Sequence, residues 1–239
     1  MSDPPPVSPT PPRPASIVTP ITLHFLFDVN SFMVRTGESC ALIDTGLRPC
    51  RGRLEQELAA AGCDGGALQV IILTHAHADH AGNCAYLGRT YGAPIAMHSA
   101  DAGKAKCGDM FWQPEGRRSA SAAVAGALLS VVGLGRFDRF SPDVLLHDNQ
   151  HLGAFGLDAR VLHLPGHSPG SIGILTAGGD LFCGDLLTNR RRPARNSMVD
   201  NVADMAASID RLARLDVRMV YPGHGKPFPM EALGLAAAG

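Results

Sequence analysis

No C-x-x-C pair occurs among the six cysteines, Cys40, Cys50, Cys63, Cys84, Cys107 and Cys183. Their scatter fits neither a disulfide framework nor a thiolate zinc site, and they read as free thiols in a reducing compartment. Charge of one sign is also lacking. The formal net charge is −1, so no whole-protein field favours a nucleic acid or an anionic membrane. A long basic arm is absent, and no nucleic-acid partner is expected. The N-terminus shows no basic region followed by an apolar run, so no signal peptide is expected and the location expected is cytoplasmic. The uncharged stretch 119–135 is broken by Gly126, Gly133 and Gly135, which argues against a membrane span and for a buried or lid-forming helix.

What is present is a chain of 239 residues with 45% hydrophobic content, enough for one domain with a sizeable core. Residues 1–16 are dominated by proline, which lacks an amide donor, and are expected to be a disordered tail before a domain at 17–239. Short apolar runs rich in β-branched residues at 17–27, 30–35, 40–43, 70–73 and 94–97 read as strands, as do 144–147, 159–163, 171–176, 180–183 and 218–221. Helical spacing marks 51–61, 81–91 and 202–215. Strands and helices therefore occur twice over. Two such halves packed face to face give an α+β fold with two sheets inside and helices outside.

Five short segments carry the chemistry, each at the end of an expected strand or the start of a loop. They are DTG at 44–46, HAHADH at 75–80, LPGHS at 164–168, CGD at 183–185 and YPGHG at 221–225. Imidazole and carboxylate are the usual ligands of zinc and similar ions. His75 and His77, two apart, point the same way if the backbone is extended, and Asp79 and His80 then turn toward a second position as a helix begins. Such a run could not sit in an apolar core without a cation to neutralise it. The small residues Ala76 and Ala78 let the loop pack closely.

HAHADH resembles the H-x-H-x-D-H signature of the metallo-β-lactamase-fold hydrolases, and the later segments resemble that family's further ligand loops in the family's order. The resemblance spans nearly all of 17–229. It implies an αββα sandwich of two mixed sheets flanked by helices, with the site at one sheet edge. It also implies a first metal on His75, His77 and His167, a second on Asp79, His80 and His224, and Asp185 bridging both. Asp44 would stand behind the ligands and orient their loop. The implied cofactor is two divalent ions, zinc in the first instance, with iron or manganese suited to the same ligands. The implied reaction is hydrolysis of an ester, thioester or lactone in a small-molecule substrate by a metal-bridging hydroxide, with Asp79 also taking or returning a proton. An iron-dependent persulfide dioxygenase and a phosphodiesterase of the same fold are the alternatives.

His80 and Asp185 together set the chain apart from true β-lactamases of this fold, which usually replace one or the other. The full set is similar to glyoxalase II-like thioesterases and acyl-homoserine lactonases. The chain departs from the first in ending soon after His224, where that family adds a helical substrate-binding domain, and in the length between His80 and His167. It departs from the second in Thr188, where those lactonases carry a tyrosine. Arg190, Arg191 and Arg192 follow Asp185 closely and are expected to border the site, where they could clamp an anionic group or simply face water. Phe111 and Trp112 are expected in core packing or in a hydrophobic wall.

Overall fold

The computed structural model describes residues 16–63, 66–113 and 134–234. The proline-rich stretch 1–15 and most of the uncharged stretch 119–135 lie outside the described residues.

The first half supplies strands β1 (Ile17–His24), β2 (Asp28–Thr36), β3 (Ser39–Ile43), β4 (Leu68–Ile72), β5 (Ile95–His98) and β6 (Val144–Leu146). They form one six-stranded sheet in that order, antiparallel from β1 to β3 and parallel from β3 to β6. The second half supplies β7 (Ala159–His163), β8 (Ile172–Thr176), β9 (Asp180–Gly184), the small hairpin β10 (Leu187–Thr188) and β11 (Ala194–Arg195), then β12 (Met219–Pro222) and β13 (Phe228–Pro229). Its main sheet runs β13-β12-β9-β8-β7, with only β9 and β12 parallel. Helices α1 (Arg51–Ala60), α2 (Ala78–Ala81), α3 (Cys84–Tyr91), α4 (Ala102–Cys107) and α5 (Val202–Leu212) complete the described elements that matter here.

Alternation along the strands explains the layering. In β3, Ala41 and Ile43 face the interior between the sheets while Cys40 and Leu42 face the outer core. In β4, Val70 and Ile72 point inward, and Ile71 points outward. Both faces of these strands are covered, which is why they read as continuous apolar runs. Phe32 of β2 meets Phe182 of β9 across the sandwich, ring centroids 5.2 Å apart. Truncating either ring would cost about 3–5 kcal/mol. Outside the second sheet, α5 buries Met205, Ser208, Ile209 and Leu212, a helical stripe, and its start is fixed by Asn201, whose side chain accepts from Ala203 N and Asp204 N. The result is helix, sheet, sheet, helix: the αββα sandwich.

Three differences from the sequence reading have local causes. The helix expected at 81–91 is two helices, α2 and α3, parted at Gly82 and Asn83. Any side chain at 82 would put a Cβ 2.6 Å from Gly46 O, and Asn83 turns its amide to the carbonyls of Thr45 and Leu47. Helix α4 and the hairpin β10–β11 were not expected, being too short to show a period. Helix α5 stops at Leu212 rather than at 215. All six cysteines are free thiols, as expected, and among the described residues no helix is long and apolar enough to cross a membrane.

At one edge the two sheets are stitched together by backbone. Ile172 N donates to Thr74 O at 2.9 Å, and Asn30 N to Gly223 O at 2.8 Å. The five short segments that carry the chemistry meet at this edge.

Candidate metal centre

Strand β4 delivers His75 and His77 as it leaves the sheet, and α2 places Asp79 and His80 one turn later. Asp185 follows β9, His224 follows β12, and His167 lies between β7 and β8. Because β9 and β12 are parallel with Gly184 beside Pro222, their carboxyl ends bring Asp185 and His224 to one place.

The two Pro-Gly-His segments have a steric reason. Gly166 adopts φ 134, and a Cβ there would lie 2.4 Å from Met205 Cα, so glycine is required where the His167 loop passes α5. At Gly223 a Cβ would meet Asp185 Oδ1 at 2.4 Å and His80 Cε1 at 2.6 Å. Only glycine leaves room for the cluster.

Asp44 ends β3 in the left-handed region, φ 59, which aspartate tolerates better than most residues. It is buried, and both oxygens are used. Oδ1 accepts from Thr74 N at 2.8 Å, while Oδ2 accepts from Thr74 Oγ1 at 2.7 Å and from His80 Nδ1 at 2.8 Å. Since the Thr74 hydroxyl gives its proton to Asp44, its 3.0 Å contact with His75 Nδ1 must be donated by the ring. His167 Nδ1 likewise donates to Met198 O at 2.8 Å, and His224 Nδ1 to Asp28 O at 2.7 Å. Each Nε2 is thereby left as a lone pair facing the cavity.

These lone pairs converge. His167 Nε2 lies 3.1 Å from His75 Nε2 and 3.0 Å from His77 Nδ1. His224 Nε2 stands 3.2 Å from Asp79 Oδ2 and 3.4 Å from Asp185 Oδ2, and His80 Nε2 is 3.4 Å from Asp185 Oδ1. Two neutral imidazole lone pairs 3.1 Å apart cannot hydrogen-bond to each other. His80 Nε2 and Asp185 Oδ1 are buried with no hydrogen-bond partner at all. Both facts fit a divalent cation, whose tetrahedral ligands at 2.0–2.1 Å stand about 3.3 Å from one another. Three groups of donors lie within such reach: His75, His77 and His167; His75, His80 and Asp185; Asp79, His80 and His224.

Without a cation, protons take up part of its role. Burial and the neighbouring His80 and His77 push the His75 ring well below its ordinary range, and burial with His167 takes His77 down to about 3. On the other side burial works against charge, yet the carboxylates Asp44, Asp79 and Asp185 raise His80 well above its ordinary value. Asp185 raises His224 to about 9 in the same way. Against the same burial, His80 and His224 hold Asp79 down at about 2 and keep Asp185 well below the usual carboxylate range. The centre thus joins a side on which His75 and His77 resist protonation to a side that calls for positive charge. Burial pushes Cys183 up to about 12 and Cys84 well above the thiol range, so neither serves as a thiolate nucleophile.

Sequence reasoning missed Thr74, which relays Asp44 to His75, and Asp101, which is fully buried and bonds both loops that carry the three histidines. Neither stands in a recognisable motif; a buried aspartate just after a strand end is visible only in space. Of the arginines expected to border the site, all three are exposed. Arg190 lies over the Phe27 ring at 5.7 Å, and Phe27 meets His224 edge-on with ring centroids 5.6 Å apart. Asn189 N donates to His224 O at 2.9 Å, so this run does adjoin the centre. Phe111 packs on the outer core, and Trp112 lies against Gly103 of α4.

A profile of the metallo-beta-lactamase superfamily matches residues 24–224. The chain belongs to that superfamily. Among its members, a hydroxyacylglutathione hydrolase of Anaeromyxobacter dehalogenans (strain 2CP-C) is 29% identical over 210 residues, covering 87% of this chain and 66% of that protein. The acyl-coenzyme A thioesterase MBLAC2 of Bos taurus is 27% identical over 223 residues, covering 85% and 75%. The chain thus spans roughly two thirds to three quarters of the length of these relatives. Superfamily structures agree on the fold. TTHA1623, solved in a di-iron-bound form, superimposes with a TM-score of 0.69 at 28% identity, covering 92% of this chain and 98% of its own. The B3 metallo-beta-lactamase BLEG-1 gives 0.71 at 22% identity, covering 90% and 95%.

Proposed function

We propose that this superfamily hydrolase is binuclear and cleaves an ester, thioester or lactone bond in a small-molecule substrate. His75, His77 and His167 would hold one divalent ion and Asp79, His80 and His224 the other, with Asp185 placed to serve both. The observation that carries the reading is the convergence of lone pairs, with Asp185 reaching both groups: its Oδ2 adjoins His167 of one and His224 of the other, and its Oδ1 adjoins His80. When bound, two such ions acidify a water and polarise a carbonyl oxygen.

The chain's own groups supply the rest. Asp44, Thr74, Met198 O and Asp28 O fix ring tautomers, so His75, His80, His167 and His224 each turn Nε2 to the cavity before substrate arrives. Asp79 is the ligand most open to solvent and is ionised at neutral pH, so it can accept a proton from the attacking water and return it to the leaving group. Cysteine and serine nucleophiles are not needed. Phe27, with exposed Phe25 and Leu26 beside it, forms an apolar wall next to His224 that suits an acyl group. Arg190, Arg191 and Arg192 provide positive charge for an anionic leaving group at the same rim. Two of the relatives are named as thioester hydrolases, which supports putting thioesters first.

The test is metal analysis of the purified chain paired with a hydrolysis screen over thioesters, lactones, aryl esters and phosphodiesters. Two ions per chain with turnover of a carboxylic ester class is the expected result. One iron per chain without hydrolysis would replace this reading with sulfur dioxygenation, and phosphodiester turnover alone would replace the substrate class.

A further inference from the structure

Behind the three-histidine side lies a charged pair that the chemistry above leaves unused. Lys104, on α4, is buried, its side chain 9% exposed. Its Nζ stands 3.7 Å from Asp101 Oδ1 and 4.0 Å from Asp200 Oδ2, which is charge attraction without the geometry of a hydrogen bond. Removing an ammonium from water is costly, so its position matters.

Asp101 shows what that position touches. Its Oδ2 accepts from Ala76 N at 3.0 Å and from Ser168 Oγ at 2.8 Å, and its Oδ1 accepts from Gly170 N at 3.1 Å. Ala76 lies between His75 and His77, and Ser168 follows His167. One carboxylate therefore grips both loops that carry the three rings. Asp200, the outer partner of Lys104, is tied to the same loop through its N–H on Gly166 O at 2.8 Å.

The two sides of the centre are unequal in charge. Asp79 and Asp185 surround the His80 and His224 side, whereas the three-histidine side meets Asp185 through His167 Nε2 at 3.6 Å and has Asp101 and Lys104 behind its loops. We propose that Asp101 and Lys104 are positioning residues that set the metal affinity of the His75, His77 and His167 group with opposite signs, the carboxylate strengthening it and the ammonium weakening it. This rests on the reading of those histidines as metal ligands. Like charges repel a dication in the same measure that opposite ones attract it, so the pair together is close to neutral and each member alone is not.

The test is cobalt and zinc affinity of the metal-free protein, measured by competition with a chelator, for wild type, Asp101→Asn, Lys104→Met and the double variant. His77→Ala identifies which binding step belongs to the three-histidine group. Expected for that step are about tenfold weaker binding in Asp101→Asn, about tenfold tighter binding in Lys104→Met, and affinity near wild type in the double variant. The other step should stay within about twofold. A purely structural clamp would weaken binding in both single variants and most of all in the double, and that result overturns the proposal, as does no change in either single. Should Lys104→Met fail to fold, Lys104→Gln carries the same arm. Wild type that takes up no metal overturns the ligand reading and this proposal together; wild type that binds two ions with the wrong signs in the variants overturns this proposal alone.

Discussion

On the floor of the centre, His75, His80, His167 and His224 each donate a hydrogen bond from the nitrogen that faces away from the cavity. Around the rim, Phe25, Leu26, Met198 and the arginines 190–192 stand exposed to solvent. The floor is heavily determined: four of its five rings have their tautomer set by a hydrogen-bond partner behind them, and glycines 166 and 223 leave no spare volume. At the rim, contacts such as Arg190 over Phe27 are single and surface-exposed, worth about 1 kcal/mol or less. Reaction type therefore belongs to the floor, and substrate choice to the rim. Floor substitutions should change metal content, whereas rim substitutions should change KM and leave the metal alone.

The largest effect is expected from Asp185→Ala. It removes the one carboxylate adjoining both groups and should abolish binding of two ions, seen as loss of metal by elemental analysis and of hydrolysis by about a thousandfold or more. Asp44→Ala comes next. It leaves Thr74 N and the His80 Nδ1 proton unpaired in a buried place, so metal affinity should fall about 10–100-fold and stability by about 2–5 kcal/mol, read by chelator competition and denaturant unfolding.

A smaller effect separates the two sides of the floor. His224 in the metal-free protein is raised to about 9 from its ordinary 6.5. Its contribution to stability is therefore fully present below about 6.5 and lost as pH rises through about 9. The metal-free protein should lose thermal stability across that window, and apparent metal affinity should rise over the same window as the competing proton leaves. The smallest effect is at the rim: Arg190→Ala should raise KM for an anionic substrate about three- to tenfold, with kcat and metal content unchanged. An altered metal content in that variant would erase the distinction between floor and rim.

Much of the floor was legible in the sequence because its signals are local. HAHADH packs four donors into one turn-and-helix run, and the two Pro-Gly-His segments and Cys-Gly-Asp each follow an apolar strand. The sandwich was legible for a related reason: strands covered on both faces, such as β3 and β4, read as short apolar runs bounded by turns. Asp101, Thr74 and Lys104 were not legible. Asp101 and Lys104 act through contacts of 101–104 with the loops at 75–77 and 166–171, and Thr74 through Asp44, all far apart in the chain, and their residue types carry no period or motif. The break between α2 and α3 was not legible for the same reason, since Gly82 answers to Gly46 O and Arg48 N across space as well as to Ala78 O of α2. The rim was legible only as composition: the arginine run is plain at 190–192, but that Arg190 reaches Phe27 and through it His224 depends on the β1–β2 hairpin.

The most direct measurement is the metal content of wild-type chain after reconstitution with zinc, iron or manganese and removal of excess ion. Two ions per chain, one of them lost in His77→Ala and both in Asp185→Ala, is the expected result. A chain that takes up no ion under any of these conditions would contradict the account at its centre.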